Sequence, residues 1–208
     1  MKAIIFDLDG TLWDTSDTVV RIWNEVLSAK CPSLKMTKEI MSSLMGKNKA
    51  QFMDDFFVGV EKDEAERLIS EIFAHEQEYL IEHGANMYDG VIDTLNELKE
   101  DYDLAIVSNC QSGYLNAFLT HYKLNELMTD YECAGSSPLS KGENIELVVK
   151  RNGFEKAIYV GDTKSDESAA KEAGLPFVYA SYGFGDADEY VDVINSFEEI
   201  KRVAEKLL

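Results

Sequence analysis

The chain has 208 residues, 45% of them hydrophobic and 11% aromatic, enough for one domain with a sizeable insertion around a real core. Its 39 acidic side chains against 20 basic ones give a formal charge of −19, and with no local basic cluster in the sequence this excludes nucleic acid and anionic membrane surfaces as expected partners. Cys31, Cys110 and Cys133 are widely spaced without a CxxC pair, which argues against a disulfide scaffold or structural zinc, and no apolar run reaches a membrane span, so reduced thiols and a cytoplasmic location are expected.

The first strand is predicted to begin at once, and no signal peptide is expected. Residues 3–6 (AIIF) are the kind of short apolar run that fills a strand buried on both faces, and the run ends in Asp7 and Asp9 with Gly10 and Thr11 behind. From residue 15 the spacing turns helical. Val19, Ile22, Trp23, Val26 and Leu27 recur at three and four residues, with Thr15, Ser16 and Asp17 as cap and first-turn residues. Helices are also predicted over residues 38–44, 50–57 and 63–83, the last carrying Ala65, Leu68, Ile69, Ile72, Phe73, Tyr79 and Leu80. No strand pattern interrupts residues 15–84.

After Asn86, strand and helix alternate. Strands are predicted at 104–107, 131–134, 157–160 and 177–180, and helices around Val91 to Leu98 and over 114–122, 145–150, 169–173 and 197–207. Such alternation predicts an α/β fold with a doubly wound parallel sheet. Residues 1–14 and 85–208 then form the core, and 15–84 a helical bundle standing over the strand end it leaves.

The chemistry is expected at that strand end. Two carboxylates this close repel each other unless a proton or a cation intervenes, and magnesium, which prefers a few carboxylate oxygens plus substrate phosphate, is the natural remedy. Phosphoryl transfer follows, with one aspartate free to act as nucleophile. Read alone, Asp7, Asp9 and Gly10 also suit a turn. Ser108 and Asn109 end a second strand and Asp162 a third, and parallel strands bring their carboxyl ends to one edge. Ser108 offers a hydroxyl to a phosphate oxygen, although the pair SN also suits a turn or cap.

Lys141 lies in SKGEN, where Ser140 and Glu143 match a capping box. That puts a cation in the first turn of a helix, against the helix dipole, a conflict that a neighbouring anion relieves. In GDTKSD, Asp162 is a candidate ligand for the metal at Asp7, and Asp166 one turn later either a ligand or its support; Thr163 and Asp166 also match a capping pair.

Taken in order, FDLDGTL, VSN, the lysine of SKGEN and VGDTKSD resemble the four motifs of the haloacid dehalogenase-like (HAD) hydrolase superfamily, and the resemblance spans the chain. A helical insertion after the first motif is similar to the helical-cap subgroup, which includes phosphoglycolate phosphatases and β-phosphoglucomutases. The resemblance implies a Rossmann-like core and a magnesium-dependent phosphatase acting on a small soluble phosphate ester. Asp7 would be the nucleophile and Asp9 the acid and base. The metal would be held by Asp7, Asp9 through its carbonyl, Asp162 and Asp166, and the phosphoryl group by Ser108, Asn109 and Lys141.

Dehalogenases and phosphonatases of this family lack an acid where this chain has Asp9. Mutases usually carry a cap histidine at the position of Val19, which favours phosphatase over sugar phosphomutase; a non-catalytic binding module is the third reading. Asp89 departs from the proline common in relatives. Specificity is expected from the cap, where Lys47 in the polar turn of Gly46, Asn48 and Lys49 is a candidate for a substrate carboxylate or second phosphate. Arg21 is a weaker one, and Tyr182, Gly183, Phe184 and Gly185 form a glycine and aromatic loop beside the site. A monomer or weak homodimer is expected.

Overall fold

The computed structural model describes residues 1–44, 47 and 49–208. Strand β1 (Lys2–Phe6) is followed by a short strand β2 (Trp13–Asp14) and by helices α1 (Ser16–Lys30), α2 (Lys38–Leu44), α3 (Lys49–Phe56) and α4 (Lys62–His83). The chain returns through β3 (Asn86–Met87) and α5 (Val91–Leu98) to β4 (Asp103–Ser108), α6 (Ser112–His121) and β5 (Asp130–Cys133). Then come α7 (Lys141–Asn152), β6 (Lys156–Gly161), α8 (Lys164–Glu172), β7 (Phe177–Ala180), β8 (Asp192–Ile194) and, after one 3-10 turn, α9 (Ile200–Leu207).

Six strands form one parallel sheet in the order β5-β4-β1-β6-β7-β8. Strand β1 lies inside it, paired with β4 and β6, and its apolar run alternates with the period of a strand buried on both sides. Ile4 and Phe6 join the larger apolar cluster with Ile106, Val160 and Val178, whereas Ala3 and Ile5 join the smaller one with Val107, Tyr159 and Phe177. Helices α7 and α8 cover the second face, and the cluster on the first face continues without a break into α1, α2 and α4. This is the doubly wound α/β sheet expected from the alternation.

Strands β2 and β3 pair antiparallel, Trp13 against Met87, so the chain leaves the sheet and comes back along one ribbon. Trp13 is fully buried there, edge-on to Tyr114 and Phe118 at 5.3 and 4.9 Å between ring centroids. Among the described residues no strand lies between β2 and β3. The first helix starts differently from the expected cap. Thr15 makes no side-chain cap; Asp14 Oδ1 instead accepts the N–H of Ser16 at 2.9 Å, which frees the Thr15 hydroxyl for another partner. Among the described residues, no helix is long and apolar enough to cross a membrane, and the three cysteines are free thiols.

Candidate active site

The turn after β1 is built around Leu8, whose carbonyl accepts the N–H groups of Thr11 and Leu12 at 3.3 and 2.9 Å. Gly10 closes it at φ +81°, and a Cβ there would stand 2.1 Å from Asp162 Oδ2. From the other side Gly183 approaches as closely, a Cβ on it falling 2.5 Å from the same oxygen. Only glycine permits this double approach. Asp162, at the end of β6, is thereby enclosed, with Oδ2 accepting the N–H of Phe184 at 2.7 Å.

The ends of β1 and β6 and the first turn of α8 bring Asp7, Asp162 and Asp166 together, all buried, with one carboxylate oxygen of each within 4.8 Å of the others. Lys141, in the first turn of α7, stands among them. Its Nζ lies 2.8 Å from Asp7 Oδ1 and hydrogen-bonds Asp166 Oδ1. Both capping boxes expected from the sequence form. Ser140 and Glu143 exchange hydrogen bonds at the start of α7, and Thr163 and Asp166 at the start of α8. Asp166 Oδ2 also takes the N–H of Asp162 at 3.2 Å, so this side chain braces the loop as well as the lysine.

One ammonium thus faces three buried carboxylates, and the protonation equilibria record the imbalance. Burial raises Asp162 to about 8, with the charges of Asp166 and Asp7 adding to it. Burial likewise raises Asp7 to about 6 against the pull of Lys141. Burial works against the Lys141 charge too, but Asp166 and Asp7 outweigh it and hold the ammonium well above its ordinary range. Asp7 Oδ1 is buried and its 2.8 Å ion pair lacks the angular form of a hydrogen bond, which leaves that oxygen without a donor. Hard oxygen donors in excess, one of them unsatisfied, suit a small divalent cation such as magnesium.

Asp9 faces the other way. Its Oδ1 accepts from the Tyr114 hydroxyl at 2.6 Å and the Thr15 hydroxyl at 3.0 Å, and those two oxygens are 2.7 Å apart. Burial pushes its carboxyl up to about 7. Neither partner of Asp9 is marked in the sequence, because Tyr114 sits among the apolar residues of α6 and Thr15 carries an ordinary cap signature.

Asp7, Asp9, Ser108, Asn109 and Lys141 line one cavity of about 570 Å³. Ser108 is buried, with Oγ accepting the N–H of Cys110 at 3.4 Å. The opposite wall comes from the four helices after β2: Val19, Trp23, Met41, Leu44, Phe52 and Phe73. Glu76 is set among them, 4% exposed, with Oε2 accepting the Trp23 indole N–H at 2.9 Å. Its signal was in the sequence, an acid at the position between Ile72 and Leu80 where the stripe of α4 calls for an apolar residue.

Lys47 reaches the cavity, but its Nζ is 2.7 Å from Asp55 Oδ2. Gly46, Asn48 and the side chain of Lys49 lie outside the described residues. Arg21 is exposed, 4.4 Å over the Tyr79 ring and paired with Glu25 at 3.1 Å. Asp89 is exposed on the return from β3. Tyr182 donates to the Thr11 carbonyl at 2.8 Å and meets the Tyr88 ring at 4.8 Å, so the glycine and aromatic loop clamps the first turn from above.

The family model for haloacid dehalogenase-like hydrolases matches residues 4–180. The chain is 30% identical over 192 residues to a phosphoglycolate phosphatase of Rhodobacter capsulatus, covering 88% of this chain and 85% of that one. It is 29% identical over 184 residues to the pyrophosphatase PpaX of Bacillus velezensis, covering 84% and 80%. Among solved structures, one of a predicted phosphoglycolate phosphatase from Haemophilus somnus superposes with a TM-score of 0.86 at 21% identity, over 98% of this chain and 97% of that one.

Proposed function

The chain belongs to the haloacid dehalogenase-like hydrolases and is a phosphatase, and we propose that it hydrolyses a small phosphate monoester with magnesium, through an aspartyl-phosphate on Asp7. The observation that carries this reading is the convergence of Asp7 and Asp9 from the end of β1, Lys141 from α7 and Asp162 from the end of β6 onto one sheet edge. Nothing in core packing requires three carboxylates and a lysine to be buried together, because such clusters are costly unless they bind something. The two relatives above differ in what their names say they act on, so the exact ester does not follow from likeness.

In the proposed reaction Asp7 attacks phosphorus in line with the leaving oxygen. The bond from Asp7 to phosphorus forms as the ester bond breaks, and Asp9, braced by Tyr114 and Thr15, gives its proton to the departing alkoxide. Water then attacks the phosphorus of the aspartyl-phosphate as Asp9 takes a proton from it; the bond from phosphorus to Asp7 breaks, Asp7 returns as a carboxylate and inorganic phosphate leaves. Ser108, Asn109 and Lys141 hold the equatorial oxygens in both steps. Asp7, the carbonyl of Asp9 and Asp162, with Asp166 in support, would hold the magnesium ion, which would supply positive charge to the phosphoryl oxygens. Residues 15–84 act as a cap over the core of residues 1–14 and 85–208, closing the cavity against bulk water.

On this wall Val19 is apolar, so it offers no group to relay a proton to a second sugar hydroxyl, which favours hydrolysis over phosphoryl return. The test is direct. With magnesium and p-nitrophenyl phosphate, Asp7→Asn loses turnover by roughly three orders of magnitude or more while its circular dichroism is unchanged. Full activity in that variant overturns the nucleophile assignment.

A further inference from the structure

We propose that Glu76 selects the leaving group: the enzyme prefers phosphate monoesters whose alcohol part is largely apolar, uncharged or cationic, and presents an N–H or O–H donor to the Glu76 carboxyl. This rests on the phosphatase reading and adds to it the chemistry of the other half of the substrate.

The cavity of about 570 Å³ has two unlike halves. The sheet edge carries the charged groups that handle phosphate. Facing it, the cap wall is aliphatic and aromatic apart from Lys47 at its edge, and Glu76 is its one carboxyl among the described residues. That volume falls in the range of sites for ligands far larger than a two-carbon acid.

A buried carboxyl in such a wall is expensive unless it has a task. Its place in the fold is also rigidly set. Trp23 is wedged between Phe52 and Phe56, at 5.0 and 5.4 Å between ring centroids, and its indole N–H holds Glu76 Oε2. Among the described residues Trp23 is the side chain that donates to it, although a carboxylate has room for several donors. The unused acceptor capacity therefore belongs to whatever fills the cavity.

The sign of the wall supports the same choice. Protonated or ionised, Glu76 supplies no positive charge, and Lys47, the described cation on the cap side, is already matched by Asp55. An ester with a carboxylate on its alcohol part would lose hydration there without gaining, among the described residues, a cation that is not already paired. An amine or hydroxyl on a ring or chain finds both an apolar bed and an acceptor.

The experiment compares kcat/KM across four esters: p-nitrophenyl phosphate, which has no donor on its leaving group, phosphoglycolate, phosphoethanolamine and guanosine 5′-monophosphate. For the wild type, at least one of the two donor-bearing esters exceeds phosphoglycolate by tenfold or more. Glu76→Leu lowers kcat/KM on the preferred donor-bearing ester by roughly tenfold, the loss expected of a buried hydrogen bond, and changes p-nitrophenyl phosphate less than about threefold. Glu76→Gln keeps an acceptor for Trp23 and guards against a folding defect in the leucine variant. It lowers an ammonium-bearing ester more than a neutral one.

Equal losses on all four esters would reduce Glu76 to a structural role and overturn the proposal. So would a wild-type preference for phosphoglycolate. If even p-nitrophenyl phosphate is not turned over with magnesium present, the phosphatase reading itself fails and this inference falls with it.

Discussion

A carboxyl kept at Glu76 works against the stability of the fold, and the direction of the effect can be derived. Burial raises its folded-state pKa from 4.5 to about 8, opposed by the Trp23 hydrogen bond. An acid raised in this way contributes stability that is complete below the unfolded value and is lost as pH climbs to the folded one. Wild type should therefore weaken relative to Glu76→Gln from about pH 4.5 upward, with the gap levelling near pH 8 at something on the order of 5 kcal/mol. The other buried acids are common to both proteins and cancel in the difference. Urea midpoints at pH 5, 6.5 and 8 measure it, and a gap that does not grow with pH refutes the assigned environment. The same residue shows what a sequence reveals at this scale. Asp7 and Asp9 stand out because an apolar run ends in them, and Glu76 because it interrupts one. Tyr114 carries no such mark, since its meeting with Asp9 spans 105 residues and depends on how α6 packs over Trp13.

Among the elements, α7 couples folding to the site most directly. Its first turn, KGEN, has no apolar periodicity, so the spacing predicts a helix over 145–150 whereas the observed one starts at Lys141. Only the capping box marks the true start: Ser140 Oγ accepts the Glu143 N–H at 3.0 Å, and Glu143 Oε2 accepts the Ser140 N–H at 2.7 Å. Ser140→Ala should cost about 1 kcal/mol of stability. Because Lys141 is the next residue, kcat/KM for p-nitrophenyl phosphate should also fall severalfold, and Ser140→Asp should restore both. A stability loss with unchanged kcat/KM would mean that Asp7 and Asp166 hold the lysine without help from the cap. The long parallel strands were legible for the opposite reason to the start of α7, since four or more consecutive buried residues leave a composition signal. Strands β2, β3 and β8, of two or three residues, leave none. They exist because a neighbouring strand supplies their hydrogen bonds, which is a tertiary fact.

For the whole molecule, the question is how a chain with 39 acids and 20 bases admits an anion. Many exposed cations are matched by local acids, as Arg151 is by Asp130 and Glu132 and Lys206 by Asp192, so they add little to any attractive field at the surface. Lys141 is buried and already faces Asp7 and Asp166, so it adds little to the field outside the cavity. At about 0.01 M salt the screening length is about 30 Å and the incoming phosphate feels the net charge of −19. At about 0.15 M it is about 8 Å, and only the groups lining the cavity matter. The contacts inside the site are shielded from salt far less than the approach to it. Raising ionic strength over that interval, with magnesium saturating throughout, should therefore increase kcat/KM for a dianionic ester several-fold and leave kcat nearly constant, the reverse of an enzyme that steers its substrate inward. Sodium chloride and potassium acetate should act alike, since the effect is screening and not ion binding. A kcat/KM that falls with salt would locate an attractive path of local positive charge, and Lys47, which reaches the cavity, would be the first place to look for it.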